Sequence, residues 1–316
     1  MAITQLKQGR KYAARNFAGN IRTVGSQAET TLPISWVRQD LAERSSLHLL
    51  PVLQTTLDIL QLVRLFHGRA KQIVPHQAIL YRYPTSGEAI SIGELCKHTC
   101  TYRLVVEGVL LGEITFSRTQ IFSDAEISLL ESLVSSLIYP LRNGLIYKAA
   151  MEEARRDPLT GVHNRGAMEE ALEREVGLAR RCRSPLSLIF MDIDYFKAIN
   201  DNSGHIVGDQ VIREFARCAD DKVRATDILS RYGGDEFVVI LPNTAPKGAE
   251  QLASRIRAAV AQSPYLLRIG RDRKITASIG IANLKINEKA QDLLGRADKA
   301  LASAKQDGRN CIRRAS

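Results

Sequence analysis

The sequence has no uncharged apolar run of the about 18 residues that a membrane-spanning helix requires. Its most apolar helix candidate, Leu129 to Tyr147, is interrupted by serines, Pro140, Arg142, Asn143 and Gly144, so no membrane span is expected. The first residues carry Lys7, Arg10, Lys11, Arg15 and Arg22 without an apolar segment behind them, which argues against a secretory signal. A disulfide framework is also missing. The five cysteines, Cys96, Cys100, Cys182, Cys218 and Cys311, are odd in number and scattered, the pattern of reduced thiols in a cytosol. A cytoplasmic protein is expected. Zinc-finger spacing, an RNP-like aromatic motif and a heptad-linked basic region are absent, so the net charge of +10 is not read as a nucleic-acid signature. Small phosphorylated ligands, or solubility alone, account for that charge equally well.

What is present suits a soluble globular chain, with 45% hydrophobic and 25% charged residues. Its 316 residues suffice for two domains with separate cores. Residues 1–30 are polar, basic and weakly periodic, and read as a flexible arm or frayed helix. Between Trp36 and Ile73 the spacing of Leu57, Leu60, Leu62, Val63 and Phe66 predicts two helices with a break at Pro51. Gln77–Tyr83 reads as a strand. The alternating runs His98–Val106 and Val109–Phe116, joined by Glu107-Gly108, read as a hairpin. Ser123 and Glu126 form a capping box that opens a long helix, bent at Pro140, to about Arg156. Its stripe of Leu130, Leu133, Leu137, Leu141 and Leu145 suits either burial in its own domain or a parallel dimer seam. Residues 31–122 thus resemble a GAF-type or related PAS-type sensory module, followed by a connecting helix over 123–156. Cys96, His98 and Cys100 alternate, with His67 and His76 elsewhere, but a second paired ligand set is missing. Buried or surface cysteines are therefore preferred to a metal or haem site.

The second half is organised around Arg231-Tyr232-Gly233-Gly234-Asp235-Glu236-Phe237. Strand-like runs flank it, Asp227–Tyr232 and Phe237–Leu241, so two glycines and two acids fall at a hairpin tip. Gly233 and Gly234 are expected to supply the positive φ of a tight turn and to let a ligand lie against bare backbone. Taken alone, the same residues also suit a solvated turn. Pro185–Met191 is a continuous apolar run, hence a buried central strand, and it leads into Asp192-Ile193-Asp194. The carboxylates of Asp192 and Asp194 should leave the strand together and enter a cleft. Lys197, Asn200, His205 and Asp209 follow closely, in a segment dense in the groups that phosphate and metal chemistry needs. Magnesium takes one or two carboxylates plus phosphate oxygens, so Asp192 and Asp235 could share it if strand and hairpin lie side by side. Helices over Glu169–Arg181, Pro246–Gln262 and Ala290–Lys305 and a strand over Lys274–Ala282 complete the half. Lys305 and Arg309 flank a helix end at Gly308, either as ordinary C-terminal cations or as phosphate clamps.

Residues 157 to about 313 resemble the GGDEF family of diguanylate cyclases. Six ordered runs carry the resemblance: DPLTGVHNR at 157, MDIDYFKAIND at 191, GHIVGD at 204, RYGGDEF at 231, TASIGIA at 276 and AKQDGRN at 304. The implied fold is α/β (α+β), a palm-like nucleotidyl cyclase domain over 157–316 with a mixed, mainly antiparallel sheet flanked by helices. The implied reaction joins two GTP into cyclic di-GMP and releases two pyrophosphates. By the resemblance, two Mg2+ or Mn2+ ions per active half-site fall to Asp192, the carbonyl of Ile193 and Asp235. Asp235, or a water held by the metals, is then the base, and Glu236 orients the second ion. Asn200 and Asp209, with His205 nearby, would recognise guanine. Amides around Tyr195 and Phe196 and the cations Lys197, Lys305 and Arg309 would meet the phosphates, with Gly233 and Gly234 leaving room for GTP. Each domain holds one GTP, so a homodimer is implied. Arg224 and Asp227 have the spacing of the family's inhibitory product site, with Arg255 as a third contact and Arg180 or Arg181 as a contribution from a neighbouring domain. Two departures, Ala302 and Ser203 where the family often has aromatics, touch packing and no ligand. The alternative is a catalytically silent receptor that binds cyclic di-GMP through Arg224 and Asp227 and signals through its N-terminal domain.

Overall fold

The computed structural model describes residues 2–7, 10–11, 15–16, 49–85, 87–269 and 274–315. The chain divides into two compact units, Met1–Met151 and Glu152–Ser316. Among the described residues no helix is long and apolar enough to cross a membrane.

The first unit is built on an antiparallel sheet of β1 (Ala2–Lys7), β2 (Arg10–Lys11), β3 (Arg15–Asn16), β4 (Ala78–Arg82), β5 (Ala89–Ile92), β6 (His98–Val106) and β7 (Val109–Arg118). Its spatial order is β2-β1-β6-β7-β4-β5, with β3 also paired to β1. The β6–β7 hairpin closes as its sequence predicts. Glu107 and Gly108 take φ of 50° and 80°, the double left-handed turn that matches strand twist. Ala2–Lys7, expected within a flexible arm, instead pairs along β6 from Thr101 to Val105. An open edge of β6 offers a row of backbone donors and acceptors, and this segment takes them. Apart from β2 and β3, the rest of the expected arm lies outside the described residues, as does the helix expected from Trp36 as far as residue 48.

Among the described residues this sheet is accompanied by α1 (Ile59–Ile73) and α2 (Asp124–Ala154) and by a short helical stretch over 49–53, which runs through Pro51 instead of breaking there. Asp58 caps α1, its carboxylate accepting from the Gln61 N–H at 2.6 Å, and Leu62, Val63, Phe66 and Ala70 are buried. Helix α2 continues through Pro140. Leu130, Leu133, Leu137 and Leu141 are buried in the core of their own unit, with Leu145 partly so, which uses up the leucine stripe there. Cys100 is buried and Cys96 and His98 are half-buried, while His67 and His76 pair with each other at 3.0 Å.

The capping box also forms. The Ser123 N–H donates to Glu126 Oε2 at 2.8 Å, and the Glu126 N–H donates to Ser123 Oγ at 3.4 Å. Arg118 grips the same carboxylate at 2.6 and 2.8 Å. That guanidinium outweighs the effect of burial and, with Ser123, holds the Glu126 carboxyl down at about 2.

Among the described residues the second unit has five strands, β8 (Leu186–Ile193), β9 (Ile228–Arg231), β10 (Glu236–Pro242), β11 (Ala277–Asn283) and β12 (Ile312–Arg314), in the order β12-β11-β8-β10-β9. All pairs are antiparallel except β11 with β12. The helices are α3 (Arg165–Cys182), α4 (Phe196–Ser203), α5 (His205–Asp220), α6 (Pro246–Gln262), α7 (Pro264–Ile269) and α8 (Ala290–Gln306). Strand β8 is central and buried at every position. Ile189, Met191 and Ile193 join the core formed with α5 and α6, and Leu188 and Phe190 the core formed with α3 and α8. That two-sided burial is why its sequence is a continuous apolar run. At Gly280 a Cβ would collide with the backbone of Ala297 and Leu301, so α8 packs directly on β11. Strand β9 begins later than expected because the Asp227 carboxylate turns back to accept from the Arg224 N–H at 2.9 Å.

A depressed folded pKa at Glu126 has a definite sign. Its stabilising contribution is complete above the ordinary glutamate value of 4.5 and is lost as pH falls toward about 2. Glu126→Gln should therefore flatten the acid dependence of the first unit's unfolding midpoint across that window. Equal slopes for variant and wild type in pH-resolved denaturation would refute this.

Candidate active site

Strand pairing brings the separated acids together. Glu236, first residue of β10, lies opposite Asp192 on β8, and the Ile193 N–H donates to the Asp235 carbonyl at 3.2 Å. Lys305, in the last turn of α8, sets its Nζ 2.6 Å from Asp192 Oδ2. Asp192 is only 6% exposed. Burial pushes its carboxyl up, Lys305 opposes the rise, and Asp235 and Glu236 add to it, leaving a value of about 6. Glu236 is also raised, first by burial and then by Asp235 and Asp298, against the pull of Lys305 and Arg165. The cluster is thus richer in carboxylate than in cation. Among the described residues no three acidic, His or Cys side chains close on one point by themselves. That donor set fits a hard ion such as magnesium, which takes one or two carboxylates and completes its shell from phosphate and water oxygens.

The turn between β9 and β10 departs from expectation. Neither Gly233 nor Gly234 takes a left-handed φ. The turn is wider than a two-residue hairpin loop: the N–H groups of Tyr232 and Gly233 both donate to the Glu236 carbonyl, at 2.8 and 3.3 Å. The glycines matter here for space. A Cβ on Gly233 would lie 2.5 Å from Glu236 Oε2, whereas one on Gly234 would meet nothing within 4 Å, so that backbone is open to an incoming group. Arg231 braces the turn from below. Its Nη2 and Nε donate to the Gly234 carbonyl at 2.7 and 3.2 Å, and its Nη1 reaches the Asp157 carboxylate at 3.1 and 3.2 Å. Burial pushes Asp157 up, but Thr160 and Arg231 together hold its carboxyl below the ordinary range.

Asp194 is a second correction. It does not open into a cleft with Asp192; it is 3% exposed and accepts from Ser278 Oγ at 2.6 Å, Thr276 Oγ1 at 2.7 Å and the Asn310 N–H at 3.0 Å. Tyr195 follows in the left-handed region and caps α4, and the Arg309 guanidinium lies 4.4 Å over its ring. Lys197 is exposed on α4. Asn200 Oδ1 is buried without a hydrogen-bond partner, against Gly208 of α5, where a Cβ would collide with it and crowd Phe196. A buried acceptor without a partner calls for a donor that a small rotation of the Asn200 amide could reach. His205 and Asp209 are exposed at the start of α5 nearby.

A family profile described as "Diguanylate cyclase, GGDEF domain" matches residues 154–311, half of the chain. The chain belongs to the GGDEF family. Response regulator PleD of Caulobacter vibrioides is 44% identical over 174 residues, which cover 54% of this chain and 38% of PleD. Diguanylate cyclase DgcP of Pseudomonas aeruginosa is 37% identical over 210 residues, covering 65% of this chain and 31% of DgcP. The chain therefore spans between 31% and 38% of the length of these relatives. Among solved structures, the coiled coil and GGDEF domain of DgcB from Caulobacter crescentus, in complex with c-di-GMP, matches with a TM-score of 0.54 at 32% identity. The match covers 60% of this chain and all of that one. Diguanylate cyclase SiaD of Pseudomonas aeruginosa, in complex with its activator SiaC, gives 0.52 at 34% identity, covering 60% and 72%.

In this GGDEF domain Arg224, Asp227 and Arg255 line one small cleft of about 70 Å³, together with Lys222. Arg224 and Asp227 also border a larger cavity of about 340 Å³ with Arg156 and His163. Arg180 donates to the Glu288 carbonyl, and Arg181 is exposed. Arg231 and Asp157 were missed as site residues by sequence reasoning. The available signal was an arginine directly before the turn and an aspartate opening the DPLTG run, but nothing local joins two residues 74 positions apart.

The Arg231–Asp157 pair is mostly buried, with side chains 16% and 15% exposed. Removing one partner leaves the other charge without its match, so Arg231→Ala should destabilise the second unit by on the order of 2 kcal/mol. Chemical denaturation of the variant checks this, and an unchanged midpoint would contradict it.

Proposed function

We propose that this protein is a diguanylate cyclase that condenses two GTP into cyclic di-GMP and releases two pyrophosphates. The observation that carries the reading is the register that sets Glu236 opposite Asp192 and ties Ile193 to Asp235, with Lys305 on Asp192 and no protein atom against Gly234. It is supported by the family membership, by the name of DgcP, and by the bound c-di-GMP in the DgcB structure.

In this reading Asp192, the Ile193 carbonyl and Asp235 would hold two Mg2+ or Mn2+ ions, and Glu236 would orient the second. Once bound, the ions offset the triphosphate charge and make a ribose 3′-hydroxyl a better nucleophile toward an α-phosphate. Asp235 accepts the 3′-hydroxyl proton, directly or through a water. Lys305 and Arg309 neutralise the departing pyrophosphate, with Lys197 and the amides at Tyr195 and Phe196 completing the cradle. Lys305, whose Nζ pairs with Asp192, turns to the phosphates when the nucleotide binds. The Asn200 side-chain amide, whose oxygen has no protein partner, takes a guanine N–H, with Asp209 and His205 at the same edge. One GTP per domain makes a homodimer the working unit, and residues 31–122 act as a GAF-like sensory domain joined through the helix over 123–156. The location is cytoplasmic.

Incubation of the purified protein with GTP and magnesium should yield cyclic di-GMP, and none should form with Asp235→Asn, a loss of at least about 100-fold. Gly234→Ala, which meets no protein atom, should keep wild-type stability yet lose activity by roughly tenfold or more. If wild-type protein stripped of bound nucleotide made no product, the cyclase reading would fail.

Product feedback is assigned to Arg224, Asp227 and Arg255. Loss of one charged, hydrogen-bonding arginine from that cleft corresponds to roughly a tenfold weaker inhibitor. Arg224→Ala should raise the inhibition constant of cyclic di-GMP by at least that factor with initial rates unchanged. An unaltered constant would remove the assignment.

A further inference from the structure

Arg309 stands on a turn whose backbone needs outside support. After α8, residues Gly308, Arg309 and Asn310 take φ of 102°, 64° and 46°. Glycine enters that region freely and asparagine tolerates it, but arginine has no such preference. The Arg309 N–H is tied to the Ala304 carbonyl at 3.1 Å, an end-of-helix bond. Asn310 is gripped from two directions. Its N–H donates to Asp194 Oδ2 at 3.0 Å, while its carbonyl and side-chain oxygens accept from Arg257 Nη1 at 3.0 and 3.2 Å.

Asp194 is itself fixed. Ser278 Oγ donates to its Oδ1 at 2.6 Å, Thr276 Oγ1 donates to its Oδ2 at 2.7 Å, and its own N–H donates to the Thr276 carbonyl at 2.9 Å. An ionised carboxylate only accepts, so it satisfies two hydroxyls and an amide at once, with the added strength of charge. The next residue, Tyr195, is left-handed too, with φ of 59°, and its ring is the surface on which the Arg309 guanidinium rests. One buried aspartate therefore sets the backbone beneath Arg309 and adjoins the ring beneath its side chain.

We propose that Asp194 is a positioning residue for GTP, holding Arg309 in place for the triphosphate through the Asn310 N–H and Tyr195, and that it ligates no metal. This rests on the cyclase reading for the identity of the ligand. Asp194 acts on binding through Arg309, so the two residues are coupled. An amide at 194 loses the charge and turns an NH2 group toward a donor, which loosens the turn without emptying the site.

The test is a double-mutant cycle on the full chain, read as affinity for a non-hydrolysable GTP analogue by calorimetry. Asp194→Asn and Arg309→Ala should each weaken binding by about fivefold or more, and the double variant should bind like Arg309→Ala alone. Affinity for Mn2+ alone should be the same in Asp194→Asn as in wild type. Should Asp194→Asn fail to fold, Arg257→Ala releases the same turn from its other side and enters the same cycle. Wild-type affinity in the variant, strictly additive losses, or lost Mn2+ binding would each overturn the proposal. Absence of analogue binding by the wild type would instead overturn the cyclase reading and take the ligand assignment with it.

Discussion

The antiparallel register of β8 against β10 is the constraint on which the site depends. It sets Glu236 opposite Asp192 and ties Ile193 to Asp235. A slip by one residue would turn every side chain of one strand to the other face and take Asp192 away from Lys305. Both faces of β8 are buried, so polarity alone does not fix the register. Other features do. Arg231 and the Glu236 carbonyl close the turn above it, and Gly280 on β11 lets the backbone of α8 lie directly on the sheet. The helix that carries Lys305 is thus located by a glycine on a strand two hydrogen-bonded ladders away from the hairpin.

The same packing that positions Asp192 works against its charge. Its carboxyl is raised from 3.8 to about 6, so across that window the folded chain binds more protons than the unfolded one. Stability contributed there falls as pH rises, and at neutral pH the ionised group is tolerated, with Lys305 as its partner, rather than favoured. A site of this kind is built for added positive charge. The contrast with Glu126 is instructive, because there an arginine with both nitrogens engaged outweighs burial and the carboxyl falls instead. Deeper burial and two neighbouring acids raise Asp192, whereas the less buried Glu126 is governed first by its arginine.

Much of this was legible in the sequence where the signal is local. The Glu107-Gly108 hairpin, the Ser123–Glu126 capping box, the apolar run of β8 and the helix over Pro246–Gln262 all formed as read. What failed was whatever depended on distant partners. Asp194 looked like the twin of Asp192, but its partners Thr276, Ser278 and Asn310 lie 82, 84 and 116 positions away. The glycines of the turn were read from hairpin rules, while their backbone is set by Arg231 and the Glu236 carbonyl. The leucine stripe of α2 declared an apolar face without naming what would cover it, and its own core does. Strand β1 gave no sequence signal because an open sheet edge, more than the segment's own pattern, defines its place.

Strand β9 links two of the sites through very little structure. It is four residues long, with the Arg224–Asp227 turn at one end and Arg231 at the other. One side is paired to β10. On the other, the His163 N–H donates to the Leu229 carbonyl at 3.2 Å, and the Arg231 N–H donates to the His163 carbonyl at 2.8 Å. An edge strand this short has few hydrogen bonds of its own and opens more readily than the central strands. At the end of that strand, Arg231 is the residue that holds both Asp157 and the Gly234 carbonyl. The cleft at one end of β9 and the open turn at the other are thus joined by a single four-residue strand.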